Sequence, residues 1–85
     1  MTTTVAAKVR TTSREEIAAN VRGWMARRKV EQSAIADLLG KSKVSVSGRV
    51  NGTIHFRIDE LQLVAAHLNI TLDQLLENDD STPTT

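Results

Sequence analysis

A single glycine, Gly40, falls between two short stretches of helical periodicity, and this placement constrains the fold more than any other feature of the chain. Before it, Ala34, Ile35, Leu38 and Leu39 recur at the spacing of one buried helical face. Gly40 stands where that helix must stop, because glycine enters the left-handed conformation at little cost. Ser42 then suits an N-cap, its hydroxyl accepting from a free backbone N–H of the next helix. That second helix is expected from about Lys43 to Asn51, with Gly52 ending it. Val46 and Val50 share its inner face, while Lys43, Val44, Ser47 and Gly48 point elsewhere. Two short helices joined by a tight turn, the second with small and polar outer residues, suit entry into a DNA major groove.

The pattern Gln32, Ile35-Ala36-x-x-Leu39-Gly40, Ser42 and Val46-Ser47-x-x-x-Asn51-Gly52 resembles the helix-turn-helix of the phage-repressor and Cro-like (lambda-repressor-like, XRE-type) transcription factors. Downstream, Leu61-x-x-Val64-Ala65-x-x-Leu68-Asn69-Ile70-Thr71-Leu72-Asp73-Gln74-Leu75-Leu76 resembles the fourth and fifth helices of the same family. The resemblance covers roughly residues 14–77 and implies an all-α, five-helix bundle. It further implies that the opening residues of the third helix, Lys43, Val44 and Ser45, read base edges, with Ser47 and Gly48 continuing the same outer face. Lysine can donate to guanine, an apolar group suits a thymine methyl, and serine is compatible with either kind of base. Gln32 matches a glutamine that contacts a DNA phosphate. The turn residues Lys41 and Ser42, and the loop residues Asn51, Thr53 and Arg57, are further phosphate candidates, with His55 beside them. Arg49 departs from the family, which usually has an apolar residue there; it either reaches a phosphate from the helix flank or snorkels over the bundle. Gly48 lacks the side chain that relatives often use on a base, which leaves room for close backbone approach.

Length and composition bound the rest. Eighty-five residues make one domain. With no cysteine, neither a disulfide nor a thiolate metal site can form. His55 and His67 have no metal-ligand spacing around them, so neither a metal nor any other cofactor is expected. No apolar run is long enough to span a membrane, and the N-terminus lacks a signal-peptide core; a cytoplasmic location is expected. One Phe, one Trp and no Tyr offer no stacking platform for single strands. The net charge is only +1, but it is segregated. All eleven Lys and Arg precede residue 58, whereas Asp59, Glu60, Asp73, Glu77, Asp79 and Asp80 follow it with no base among them. One side facing a polyanion explains this asymmetry, and so does a plain solvated surface.

Along the chain, residues 1–12 read as a flexible Thr-rich arm whose Lys8 and Arg10 suit phosphates or a minor groove, although a frayed terminus reads the same way. Residues 13–77 form the domain. Ser13-Arg-Glu-Glu16 is a capping box opening a first helix to about Lys29, with Ile17, Val21, Trp24 and Met25 on one stripe. Glu31 stands where relatives place Ser or Thr, so the cap of the second helix should be weak. A fourth helix, from about Ile58 to Leu68, turns Ile58, Leu61, Val64, Ala65 and Leu68 inward and ends at Asn69. Thr71 to Gln74 is a second capping box, and Leu72, Leu75 and Leu76 in the last helix either close the core or form a dimer interface. The acidic tail 78–85 is expected to be disordered.

These features point to a duplex-DNA-binding transcriptional regulator, in its sharpest form a small phage- or plasmid-type repressor acting on an operator as a homodimer. The alternative is an antitoxin or accessory protein-binding module on the same fold. No acid–base pair, nucleophile motif or phosphate loop supports an enzyme, and no small-molecule substrate is evident.

Overall fold

A computed structural model describes the protein over residues 8–10 and 13–79, with side chains from 13 to 77. Among the described residues five helices appear in the expected order: α1 (Arg14–Arg28), α2 (Gln32–Leu39), α3 (Lys43–Val50), α4 (Ile58–Leu68) and α5 (Leu72–Leu76). Each boundary has a local cause. Ser13 Oγ accepts from the Glu16 N–H at 3.1 Å and donates to the Glu16 carboxylate at 3.0 Å, opening α1. Lys29 ends it in the left-handed region at φ 57°. Gly40 (φ 66°) and Asn69 (φ 63°) do the same for α2 and α4. Ser42 Oγ accepts from the Ser45 N–H at 3.2 Å, and Thr71 Oγ1 from the Gln74 N–H at 3.0 Å. Glu31 gives α2 no side-chain cap, in keeping with the missing hydroxyl.

Helices of two turns are unstable alone and persist only by burying a face. Val21 and Met25 of α1, Ile35 of α2, Val46 and Val50 of α3 and Leu61, Val64 and Leu68 of α4 supply that burial, with Ile70 and Leu75 beneath. Trp24 packs on the edge of this core, half-buried. The Arg27 and Arg28 guanidinium groups lie over its ring, 4.7 and 5.4 Å from the centroid. Ile58 does not face inward as expected; it is 60% exposed, and the buried position in the first turn of α4 goes to Glu60.

Two short strands lie outside the helices. β1 (Lys8–Arg10) pairs antiparallel with β2 (Glu77–Asp79), setting Lys8 against Asp79, Val9 against Asn78 and Arg10 against Glu77. The stretches expected to be a flexible arm and a disordered tail therefore each contribute to a ribbon. The remainder of both, residues 1–7, 11–12 and 80–85, falls outside the described residues.

Glu60 joins three parts of the fold. Its Oε1 accepts from Arg49 Nε of α3 at 3.0 Å and from the Arg57 N–H at 2.9 Å, and its Oε2 lies 3.7 Å from Lys41 Nζ in the α2–α3 turn. Burial pushes the carboxyl up, but the Arg57 N–H, the Arg49 hydrogen bond and charge, and the Lys41 charge together hold it below its ordinary value of 4.5. A depressed carboxyl stabilises the native state fully above its unfolded value, and that contribution fades as the pH falls through the lower folded value. Glu60→Gln should therefore cost about 2–3 kcal/mol at neutral pH, because it leaves Arg49 buried without its counter-charge. Urea unfolding across the acid range should also show a flatter loss of stability below about pH 4.5 in the variant than in the parent chain.

Candidate nucleic-acid interface

The candidate surface is built on α3 and the segments at its two ends. Val46 (0% exposed) and Val50 (1% exposed) anchor its inner face, so that Val44 projects outward at 82% exposure. Lys43 is likewise exposed and Ser47 half-buried. The N-terminal turn of α3 holds no acid, so the positive end of the helix dipole adds to Lys43 rather than being neutralised. At the other end, Arg22 of α1 donates through Nη1 to the Val50 carbonyl at 2.7 Å. This satisfies a free carbonyl and fixes α3 against α1.

The structure divides the expected base-reading residues. Lys43, Val44 and Ser47 stand on the outer face. Ser45 is turned to internal use, since both its carbonyl (3.1 Å) and its hydroxyl accept from Arg49 Nη1. Gly48 is roofed over. A Cβ built there would lie 2.5 Å from Ile54 Cδ1 and 2.9 Å from Ile54 Cγ1. Its carbonyl accepts from the Thr53 N–H (2.9 Å), the Ile54 N–H (3.1 Å) and the Thr53 hydroxyl (3.0 Å). The close backbone approach that this glycine permits is that of its own loop.

The expected phosphate contacts divide similarly. Arg49 turns inward to Glu60 and Ser45, with its side chain only 11% exposed. Of the two expectations for Arg49, a phosphate contact from the helix flank or a position over the bundle, the structure shows only its placement: the guanidinium is held by a buried carboxylate. Lys41 leans toward Glu60 at 3.7 Å with its side chain 35% exposed. Asn51 is exposed and donates through Nδ2 to Ser47 Oγ at 3.2 Å, while Thr53 sits beside it in the same turn. Arg57 is exposed and pairs with Asp59 at 3.3 Å. Ser42 is exposed at the N-cap of α3, and Gln32 is half-buried in the first turn of α2. The side chains of Lys8 and Arg10 lie outside the described ones. Of the residues expected at a dimer interface, Leu75 is fully buried, and Leu72 and Leu76 pack half-buried on the core. Among the described residues the exposed large apolar groups are Val44, Ile54, Ile58 and Leu63.

Sequence reasoning did not anticipate Arg22 on the end of α3, nor the joint role of Arg49 and Glu60. Gly52 supplies another missed constraint. It adopts φ 87°, and a Cβ there would lie 3.4 Å from Glu15 Cα. The loop carrying Asn51 and Thr53 is thereby pressed onto the first turn of α1. Among the described residues no cluster could hold a metal ion, and no helix is long and apolar enough to cross a membrane.

A helix-turn-helix family model matches residues 21–75, well over half of the chain. Solved structures share the fold, among them the three that follow. The restriction-modification controller protein C.AhdI from Aeromonas hydrophila is 20% identical with a TM-score of 0.64, covering 72% of this chain and 92% of its own. A hypothetical transcription factor, NHTF from Neisseria, is 22% identical with a TM-score of 0.66, covering 86% of both chains. Apo-HppE is 23% identical with a TM-score of 0.66 over 76% of this chain, which spans only 36% of that larger protein. No curated protein matches.

Because Gly52 combines positive φ with close packing on Glu15, Gly52→Ala should lower stability by about 1–2 kcal/mol. Thermal unfolding of the two proteins checks this.

Proposed function

The chain belongs to the helix-turn-helix family, and from that premise we propose a sequence-specific, duplex-DNA-binding transcriptional regulator, in its sharpest form a small phage- or plasmid-type repressor. The observation that carries the reading is the two-sided build of α3. Its inner face is fixed by Val46, Val50 and Arg49, and its N-terminal turn leaves Lys43 and Val44 exposed and contains no acid. A helix presented in this way can enter the major groove with its first residues against base edges. Lys43 would donate to guanine N7 or O6, Val44 would pack on a thymine methyl, and Ser47 would supply a hydroxyl to either kind of base.

Gln32, Ser42, Asn51, Thr53 and Arg57 would track phosphates on either side and set the register without reading sequence. Lys41 would add its charge to that field from beside Glu60. A single module of this size reaches only a few base pairs. Two copies on a dyad-symmetric or tandem operator, as a homodimer on DNA, would supply the rest of the specificity. Repression would follow from occupying the operator and excluding polymerase. The protein would act where the DNA is, in the cytoplasm or nucleoid.

Selection of bound duplexes from a random library at near-physiological salt tests the reading. A repeated or palindromic motif is expected, whereas recovery of no motif would sink the claim of specificity. With the selected site in hand, Lys43→Ala should weaken binding by about 1–3 kcal/mol and relax the preference at one base pair. Equal weakening on every sequence would make Lys43 a phosphate contact only.

A further inference from the structure

A serine hydroxyl suits either kind of base only while it is free to rotate, because it can then donate or accept. Ser47 is not free in this way. Asn51 Nδ2 donates to Ser47 Oγ at 3.2 Å, and the Asn51 N–H donates to the Ser47 carbonyl at 2.9 Å. The amide is therefore anchored at two points on the residue it serves. The chain beyond it is fixed as well. Gly52 packs on Glu15 at φ 87°, and the Thr53 and Ile54 N–H groups close on the Gly48 carbonyl at 2.9 and 3.1 Å. An amide nitrogen has only protons to offer. It occupies a lone pair of Ser47 Oγ and leaves the hydroxyl proton to be satisfied, and among the described residues that proton meets no acceptor.

The neighbouring polar groups have the same polarity. The Ser45 hydroxyl accepts from the Arg49 guanidinium, which can only donate. The Ser42 hydroxyl accepts from the Ser45 N–H at 3.2 Å. The Lys43 ammonium donates only, and α3 carries no carboxylate to oppose it. The major groove sorts bases by this polarity. Guanine presents two acceptors there, adenine and thymine one each, and cytosine only its amino donor. Once water is expelled, a donor without an acceptor is costlier than a spare lone pair.

We infer that Asn51 is a positioning residue for base recognition: it holds Ser47 as a hydrogen-bond donor, so that Ser47 selects guanine and rejects cytosine on the strand it faces. The inference rests on the DNA-binding reading and narrows it, from a hydroxyl compatible with any base to one that requires an acceptor. A contact from Asn51 to phosphate would act equally on every sequence, so base preference separates the two roles.

The test uses the full chain and the duplex selected by the parent protein. Ser47→Ala should flatten the preference at one base pair, which marks the position that Ser47 reads. At that pair the parent should bind the guanine duplex roughly fivefold more tightly than the cytosine duplex. Asn51→Asp places an acceptor where the amide donated, so the Ser47 proton turns to the carboxylate and its lone pairs turn to the base. The guanine-to-cytosine ratio should then fall to one or below, even as the added charge weakens binding to both duplexes. Asn51→Ala frees the hydroxyl and should give a ratio between these two. In the Ser47→Ala background neither change at Asn51 should move the ratio. A ratio left unchanged by both substitutions at Asn51 would overturn the inference, as would a Ser47→Ala variant that keeps every base preference. A readout free of DNA is the side-chain amide proton resonances of Asn51, which Ser47→Ala should shift; resonances that stay in place would overturn the contact itself. Failure of the parent to select any motif would overturn the sequence-specific reading along with it, whereas a motif with an unchanged ratio overturns this inference alone.

Discussion

The buried pair between Arg49 and Glu60 is the interaction on which the presentation of α3 depends. The two side chains meet at 3.0 Å with exposures of 11% and 6%. Taking both charges out of water is expensive, and a pair in that setting is tolerated only when its remaining hydrogen-bonding capacity is filled. Here other groups add to it. Glu60 takes the Arg57 N–H, and Arg49 donates through Nη1 to the carbonyl and hydroxyl of Ser45. The pair links α3 to the first turn of α4 across the loop, while Lys41 draws in the α2–α3 turn. Apolar packing alone would hold Val46 and Val50 in place but would leave the rotation of a two-turn helix loosely specified. A directional ion pair on its flank sets that rotation, and with it which residues face out.

The outer face is consequently narrower than eight residues of α3 would suggest. Ser45 is committed to Arg49, and Gly48 lies under Ile54. The glycine weakens the helix intrinsically, and in exchange the loop folds back directly over it. Its carbonyl gathers the Thr53 and Ile54 N–H groups and the Thr53 hydroxyl. Gly52 then presses the same loop onto α1. The two glycines act on opposite sides of one turn and make it a rigid continuation of α3.

The helices and their ends were legible because their causes are local. Ser13, Ser42 and Thr71 cap what they were expected to cap, and Gly40 and Asn69 end what they were expected to end. The roles of Arg49, Glu60 and Arg22 were not legible, because each depends on a partner on another element. Glu60 reads equally well as an acid favouring the dipole of α4, which it also is. The departure of Arg49 from an expected apolar residue was the available signal, and pairing it with an acid early in α4 would have given the answer. The last helix shows the same limit. Three leucines in five residues specify burial, but only the packing shows how: Leu75 is fully buried in this core, while Leu72 and Leu76 lie half-buried against it. The ribbon was missed for a different reason: three-residue strands of mixed charge carry no periodicity, and their pairing is set by the proximity of the chain's two ends.

Charge segregation is better understood through what each base already holds. Arg22 is on the Val50 carbonyl, Arg49 on Glu60, Arg27 and Arg28 over Trp24, and Lys41 beside Glu60. Much of the basic excess before residue 58 is therefore structural, and the raw count overstates the field available to a polyanion. A module with few uncommitted bases gains little from phosphates at any one site, and counterion release scales with the number of phosphates neutralised. Under the proposed function, weak backbone affinity would raise the share of discrimination that must come from Lys43, Val44 and Ser47, and from combining modules on neighbouring half-sites. In the proposed reading, burying Arg49 would act in the same direction: it would trade non-specific attraction for a helix that binds well only where its exposed residues meet matching base edges.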